Sequence, residues 1–125
     1  MDPKHEIAYD ALNLNYKFWL SDKDGKGIMG DGKWIILQKI EETGSLMAAT
    51  EALGITYRKT WGDLKKIEKT LGFNLLEKTR GGKEGGQTIL TEKGKSLVQA
   101  FSHFHQNIEK DIKVAFDTFI NEANL

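Results

Sequence analysis

Residues 44–72 read GSLMAATEALGITYRKTWGDLKKIEKTLG, and the punctuation of this stretch decides the architecture. Gly44, Gly54 and Gly72 stand where left-handed helix caps belong, since glycine enters positive φ without steric cost. Ser45 caps a short helix rich in Ala48, Ala49 and Ala52, and Thr56 caps a second that runs to about Leu71. A small-residue helix, a glycine turn, one apolar residue (Ile55) and an amphipathic helix make the order of a helix-turn-helix.

At 100° per residue, Tyr57, Trp61, Leu64, Ile67, Glu68 and Leu71 share one side of the second helix. Arg58, Lys59, Gly62, Asp63, Lys65, Lys66 and Lys69 share the other, which is almost all basic. Trp61 is expected in the core, and Tyr57 reads as core or as a base-stacking ring. A helix roughly 12 Å across fits the major groove of B-DNA and reads it with its N-terminal turn. Thr56, Tyr57, Arg58, Lys59 and Thr60 are therefore the candidates for base and phosphate contacts, and Ser45 joins them. Arg58 has the fork to engage guanine, whereas Lys59 and Lys66 suit phosphate. The plainer alternative is a basic face that is merely solvated.

On the N-terminal side, Asp31 is the expected cap of a helix ending at Thr43, with Trp34, Ile36, Leu37 and Ile40 as its apolar stripe. Leu14, Tyr16, Phe18 and Leu20 alternate with polar neighbours and predict one strand. Asp22-Lys23-Asp24-Gly25 then reads as a turn, giving a β-hairpin over residues 14–30. The first dozen residues show weak helical periodicity at Ile7, Ala8, Ala11 and Leu12, which suggests a short helix or a loose end. On the C-terminal side, two β-prone segments flank RGGKEGGQ, residues 80–87, so residues 74–91 read as a hairpin wing. Arg80 and Lys83 on that loop are candidates for backbone or minor-groove contacts.

Thr91 opens a last helix, residues 92–121, whose Leu97, Phe101, Phe104, Ile108, Ile112 and Phe116 step mostly by three or four. A helix of roughly 28 residues spans about 42 Å. That is longer than so small a core can cover, so its apolar surface predicts a homodimer. The expected fold is α+β, mostly α: a single winged-helix domain over residues 1–125, with a three-helix unit at 31–71 and a long C-terminal dimerisation helix.

Composition narrows the function. With 125 residues and 39% hydrophobic content, the chain supports one ordinary domain. It has no cysteine, which removes disulfides, thiolate metal sites and a cysteine nucleophile. No apolar run approaches the roughly 20 residues of a membrane span, and the start is too polar for a signal peptide, so a cytoplasmic protein is expected. Net charge is zero, yet residues 54–95 hold ten bases against five acids, +5, and the remainder holds eight against thirteen, −5. A basic middle between acidic ends suits one face to a polyanion. Gly25-Lys26-Gly27-Ile28-Met29-Gly30 matches a dinucleotide fingerprint in letters alone, because no βαβ unit surrounds it. His103 and His105 lie two apart on a helix, a poor spacing for one metal. No cofactor, metal or catalytic group is expected. The competing class is a protein-interaction adaptor on the same scaffold, which zero net charge favours.

Residues 44–98 resemble the winged-helix domain of the LysR-type regulators, and more closely that of the ModE-like, molybdate-responsive group. ModE-like domains carry GISY-[KR]-x-x-W at the turn, and Gly54, Ile55, Thr56, Tyr57, Arg58 and Trp61 match it with Thr for Ser. The resemblance spans roughly residues 14 to 120 and implies sequence-specific binding of double-stranded DNA, transcriptional regulation and dimerisation through the long helix. Thr50 departs from the usual alanine of the family. Molybdate is not expected to bind this chain directly, since residues up to Leu125 leave no room for the family's molybdate-binding domains.

Overall fold

Local chemistry accounts for most of the element boundaries in the computed structural model, which describes residues 5–81 and 86–125. The order is β1 (His5–Tyr9), β2 (Leu12–Tyr16), β3 (Trp19–Ser21), β4 (Gly27–Gly30), α1 (Asp31–Thr43), α2 (Leu46–Leu53), α3 (Tyr57–Leu71), β5 (Leu76–Lys78), β6 (Thr88–Leu90) and α4 (Glu92–Glu122). Gly44, Gly54 and Gly72 cap α1, α2 and α3 at φ of 92°, 66° and 82°, as their positions required. Ser45 Oγ accepts the Ala48 N–H at 3.1 Å, closing the first turn of α2.

Three expectations for the N-terminal region are corrected. The first residues form strand, not helix: β1 and β2 pair antiparallel from His5↔Tyr16 to Tyr9↔Leu12. Asp10 takes φ 47° in the two-residue turn between them, a conformation that Asp tolerates better than most residues. The strand expected over residues 14–21 is two strands from different hairpins. They are separated at Phe18, whose ring lies against Tyr16, Phe104 and His105 at centroid distances of 5.5, 5.9 and 6.0 Å. Asp31 is not the cap of α1, for Gly30 holds that place and Asp31 is the first helical residue. Its carboxylate is 1% exposed and lies 3.1 Å from His105 Nε2 of α4, tying the start of one helix to the middle of another.

The core sits where α1, α2 and α3 meet the base of the β5–β6 ribbon and the first turns of α4. Trp34, Leu37, Ile40, Leu46, Ala49, Leu64, Ile67, Leu75, Leu90, Val98 and Phe101 pack into one cluster. Thr50 is buried among them and donates its hydroxyl to the Met47 carbonyl at 2.9 Å. The ribbon pairs Leu76↔Leu90 to Lys78↔Thr88. Thr91 joins it to α4: its hydroxyl donates to Asn74 O at 2.6 Å and accepts the Gly94 N–H at 2.9 Å. A Cβ at Gly94 would stand 2.7 Å from Leu75 O, so helix and strand meet there at glycine distance. The result is a winged helix-turn-helix with small antiparallel ribbons at both ends of a three-helix unit.

Candidate nucleic-acid interface

α3 is held on its inner side by Leu64, Ile67 and Glu68 and presents the opposite side to solvent. Arg58, Lys59 and Lys66 are exposed there, as the helical pattern required. Gly62 lies between them with nothing within 4 Å of where a Cβ would stand, so the helix backbone is open to close approach. Thr56 is exposed at the cap without a side-chain capping bond; its carbonyl accepts the Thr60 N–H at 3.1 Å and the Thr60 hydroxyl at 2.8 Å.

Other expected members of the site lie elsewhere. Thr60 is 4% exposed, its hydroxyl spent on the Thr56 carbonyl, so it faces the core. Ser45 is 6% exposed and occupied by its cap. Tyr57 packs half-buried on the core, its hydroxyl 3.5 Å from Thr88 Oγ1 of β6. Trp61 was expected in the core and is instead 39% exposed, with the Lys65 ammonium 5.5 Å above its ring. It sits at the margin of the apolar arc, bordering a small depression shared with Leu76, Lys78 and Thr88 of the wing strands. Arg80 is exposed just beyond β5, and Lys83 falls outside the described residues.

Two carboxylates brace α3. Glu68 Oε2 accepts the Leu75 and Leu76 N–H groups at 2.7 and 2.9 Å, and Oε1 meets Lys65 at 3.0 Å. Burial alone would raise this carboxyl; the Leu76 N–H, the Lys65 ammonium and the Leu75 N–H outweigh it and hold it below the ordinary value. Asp63 Oδ2 receives Lys59 at 3.0 Å and Lys33 of α1 at 3.2 Å. Burial likewise opposes its ionisation, and the hydrogen bonds from Lys59 and Lys33 reverse that effect. Sequence spacing exposes the i,i+4 partner Lys59; the role of Lys33, thirty residues away, has no local signal.

The six residues expected at a dimer seam also divide. Phe101 and Phe116 are buried within the single chain, and Leu97 packs on its core. Ile108 and Ile112 are half-buried, while Phe104 is 43% exposed. Phe119, which steps into the same stripe, is 55% exposed. No helix among the described residues is long and apolar enough to cross a membrane.

Comparison with known proteins places the helix-turn-helix in a family. Residues 33–95, from α1 to the start of α4, match the family described as bacterial regulatory helix-turn-helix protein, lysR family. The chain is 29% identical over 82 residues to the molybdenum-pterin-binding protein MopB of Rhodobacter capsulatus, covering 66% of this chain and 30% of that protein. It is 29% identical over 82 residues to the DNA-binding transcriptional dual regulator ModE of Escherichia coli K12, covering 66% and 31%. It is 30% identical over 88 residues to the transcriptional regulator ModE of Yersinia pestis, covering 70% and 32%. The chain thus spans about a third of the length of these curated relatives.

Proposed function

Because the chain belongs to the lysR family of bacterial regulatory helix-turn-helix proteins, we propose that it binds double-stranded DNA and regulates transcription, with α3 in the major groove. The observation that carries this reading is the exposed ridge of Arg58, Lys59 and Lys66 around the open backbone of Gly62, directly opposite the buried side of α3. Arg58 is assigned to a base edge, and Lys59 and Lys66 to phosphate. The β5–β6 wing, with Arg80 at its end, reaches adjacent backbone. Tyr57 acts as the strut between α3 and the wing, and Thr60 and Ser45 as structural residues.

The partner arrangement assigned to α4 is a homodimer. At 31 residues it extends about 46 Å, and Phe104, Ile108, Ile112 and Phe119 form an apolar stripe along it. Pairing two copies sets two α3 helices toward successive major grooves roughly 34 Å apart. A monomer by light scattering across the micromolar range overturns the dimer. The name of one of these relatives, MopB, mentions molybdenum and pterin, but the matched third is the helix-turn-helix unit, so no molybdate or pterin site is assigned to these residues, nor any catalytic role. The compartment is the one that holds bacterial DNA, the cytoplasm.

The test is fluorescence anisotropy with duplex DNA from the upstream region of the protein's own reading frame and with scrambled duplex, across a salt series. Wild type is expected to prefer the upstream duplex. Arg58→Ala with Lys59→Ala is expected to abolish that preference while circular dichroism stays unchanged. Equal affinity of variant and wild type removes α3 from the interface.

A further inference from the structure

A cleft of about 600 Å³ opens on the side of α3 away from the wing, between α3, the start of α1 and the β3–β4 hairpin. Five lysines line it: Lys26 from the hairpin turn, Lys33 from α1, and Lys59, Lys66 and Lys69 from α3. Two acids share the cleft, and both are already engaged. Asp22 Oδ1 accepts the Asp24 and Lys26 N–H groups at 2.9 Å each, so its carboxylate is held to the turn. Asp63 bridges Lys33 and Lys59. Among the described residues no ion pair involves Lys26, Lys66 or Lys69. The cleft therefore carries a formal excess of three positive charges on a partly enclosed surface, where charge repulsion is relieved by an anion.

We propose that this cleft is a phosphate-binding flank, and that the β3–β4 hairpin works as a second wing, clamping the DNA backbone on the side of α3 opposite the β5–β6 ribbon. The inference rests on the DNA-binding reading above and adds residues that the helix-turn-helix does not contain. Continuity argues for backbone phosphate over a free anion. Lys59 and Lys66 belong at once to the cleft and to the exposed ridge of α3, so a strand bordering the major groove passes over both. Lys33 and Lys59 are pre-positioned by Asp63, which lowers the ordering cost when phosphate arrives. Lys26 stands on a turn whose backbone is pinned by the Gly25 N–H to Asp22 O bond, at 3.0 Å, and by the Asp22 carboxylate.

The test uses Lys26→Gln with Lys69→Gln, and Lys110→Gln on α4 as a charge-matched control. The cleft variant should weaken binding to upstream and scrambled duplex alike, by about tenfold at moderate salt, because phosphate contacts carry no sequence information. Its slope of log affinity against log salt should be shallower by about one to two, at roughly 0.9 per phosphate. The Lys110→Gln slope should match wild type. A wild-type slope for the cleft variant, with Arg58→Ala and Lys59→Ala still disabling, overturns the second wing and leaves the proposed function standing. If wild type binds no duplex even at low salt, the proposed function fails and takes this inference with it. Saturable binding of inorganic phosphate at submillimolar concentration, read from ammonium shifts by NMR and lost in the cleft variant, would reassign the cleft to a free anion.

Discussion

The two flanks of α3 use the same device, a carboxylate facing a lysine, for opposite ends. On the wing side Glu68 is 7% exposed and takes two backbone N–H groups from residues 75 and 76 as well as Lys65. By accepting both amides the carboxylate takes the place of a neighbouring strand and ties the wing to the helix. On the hairpin side Asp63 retains 23% side-chain exposure, and its partners are the ammonium groups of Lys59 and Lys33 at a surface open to solvent. What separates the two is the donor. A buried amide cannot be resatisfied by solvent, whereas a lysine beside water can. Five positions apart on one helix, one carboxylate holds the wing to α3 and the other sets two lysines on a charged surface.

Removing Glu68 should therefore have the largest consequence. Glu68→Ala orphans two buried amides and is expected to cost about 2–4 kcal/mol in urea unfolding at neutral pH, with Glu68→Gln intermediate because its amide oxygen still accepts. A loss under about 1 kcal/mol would mean that the wing is held by packing alone. The pH dependence follows from the same bonds. Since the Glu68 carboxyl is held below its ordinary value in the folded chain, its contribution is fully present above the unfolded value, roughly 4.3. It is lost as pH falls through the lower folded value. Wild type should lose more stability than Glu68→Gln on acidification through that window, and parallel curves would sever the bond network from stability.

The ridge between the flanks is tested by Gly62→Ala. With open space at the Cβ position, alanine should stabilise the helix by about 0.5–1 kcal/mol and yet weaken DNA binding, because the methyl holds off whatever approaches the backbone. A variant that is stabilised and binds normally would move the contact away from Gly62. Asp63→Asn should be the mildest, within about 0.5–1 kcal/mol of wild type in stability. A cost as large as that of Glu68→Ala would erase the contrast between the flanks.

Much of this molecule was legible from spacing. Glycine and hydroxyl punctuation around residues 44–72 placed α1, α2 and α3 within a residue of their ends, and the 100° pattern put Arg58, Lys59 and Lys66 outside. Errors came where periodicity is shared or marginal. Ile7, Ala8, Ala11 and Leu12 suit a helix equally well as the two arms of a tight hairpin, and only pairing across residues 7 and 14 decides. Trp61 lies at the edge of the apolar arc, where a pattern of period 3.6 does not separate a buried ring from a half-exposed one. Thr60 looked available because it follows Lys59, but at 300° from Tyr57 it turns inward.

Capping, turn formation and amphipathic sidedness depend on four to eight consecutive residues, so the order of the helices, the helix-turn-helix, the wing and the basic character of α3 were already settled in the one-dimensional chain, while the N-terminal strands were not. Which charges are spent and which remain for a ligand was not, because those choices join residues remote in sequence. Asp63 finds Lys33, Asp31 finds His105, and a hairpin at residues 19–30 comes to stand beside a helix that begins at Tyr57. Such pairings follow from packing, where burial sets the strength of each charge and no local pattern records which element will do the burying.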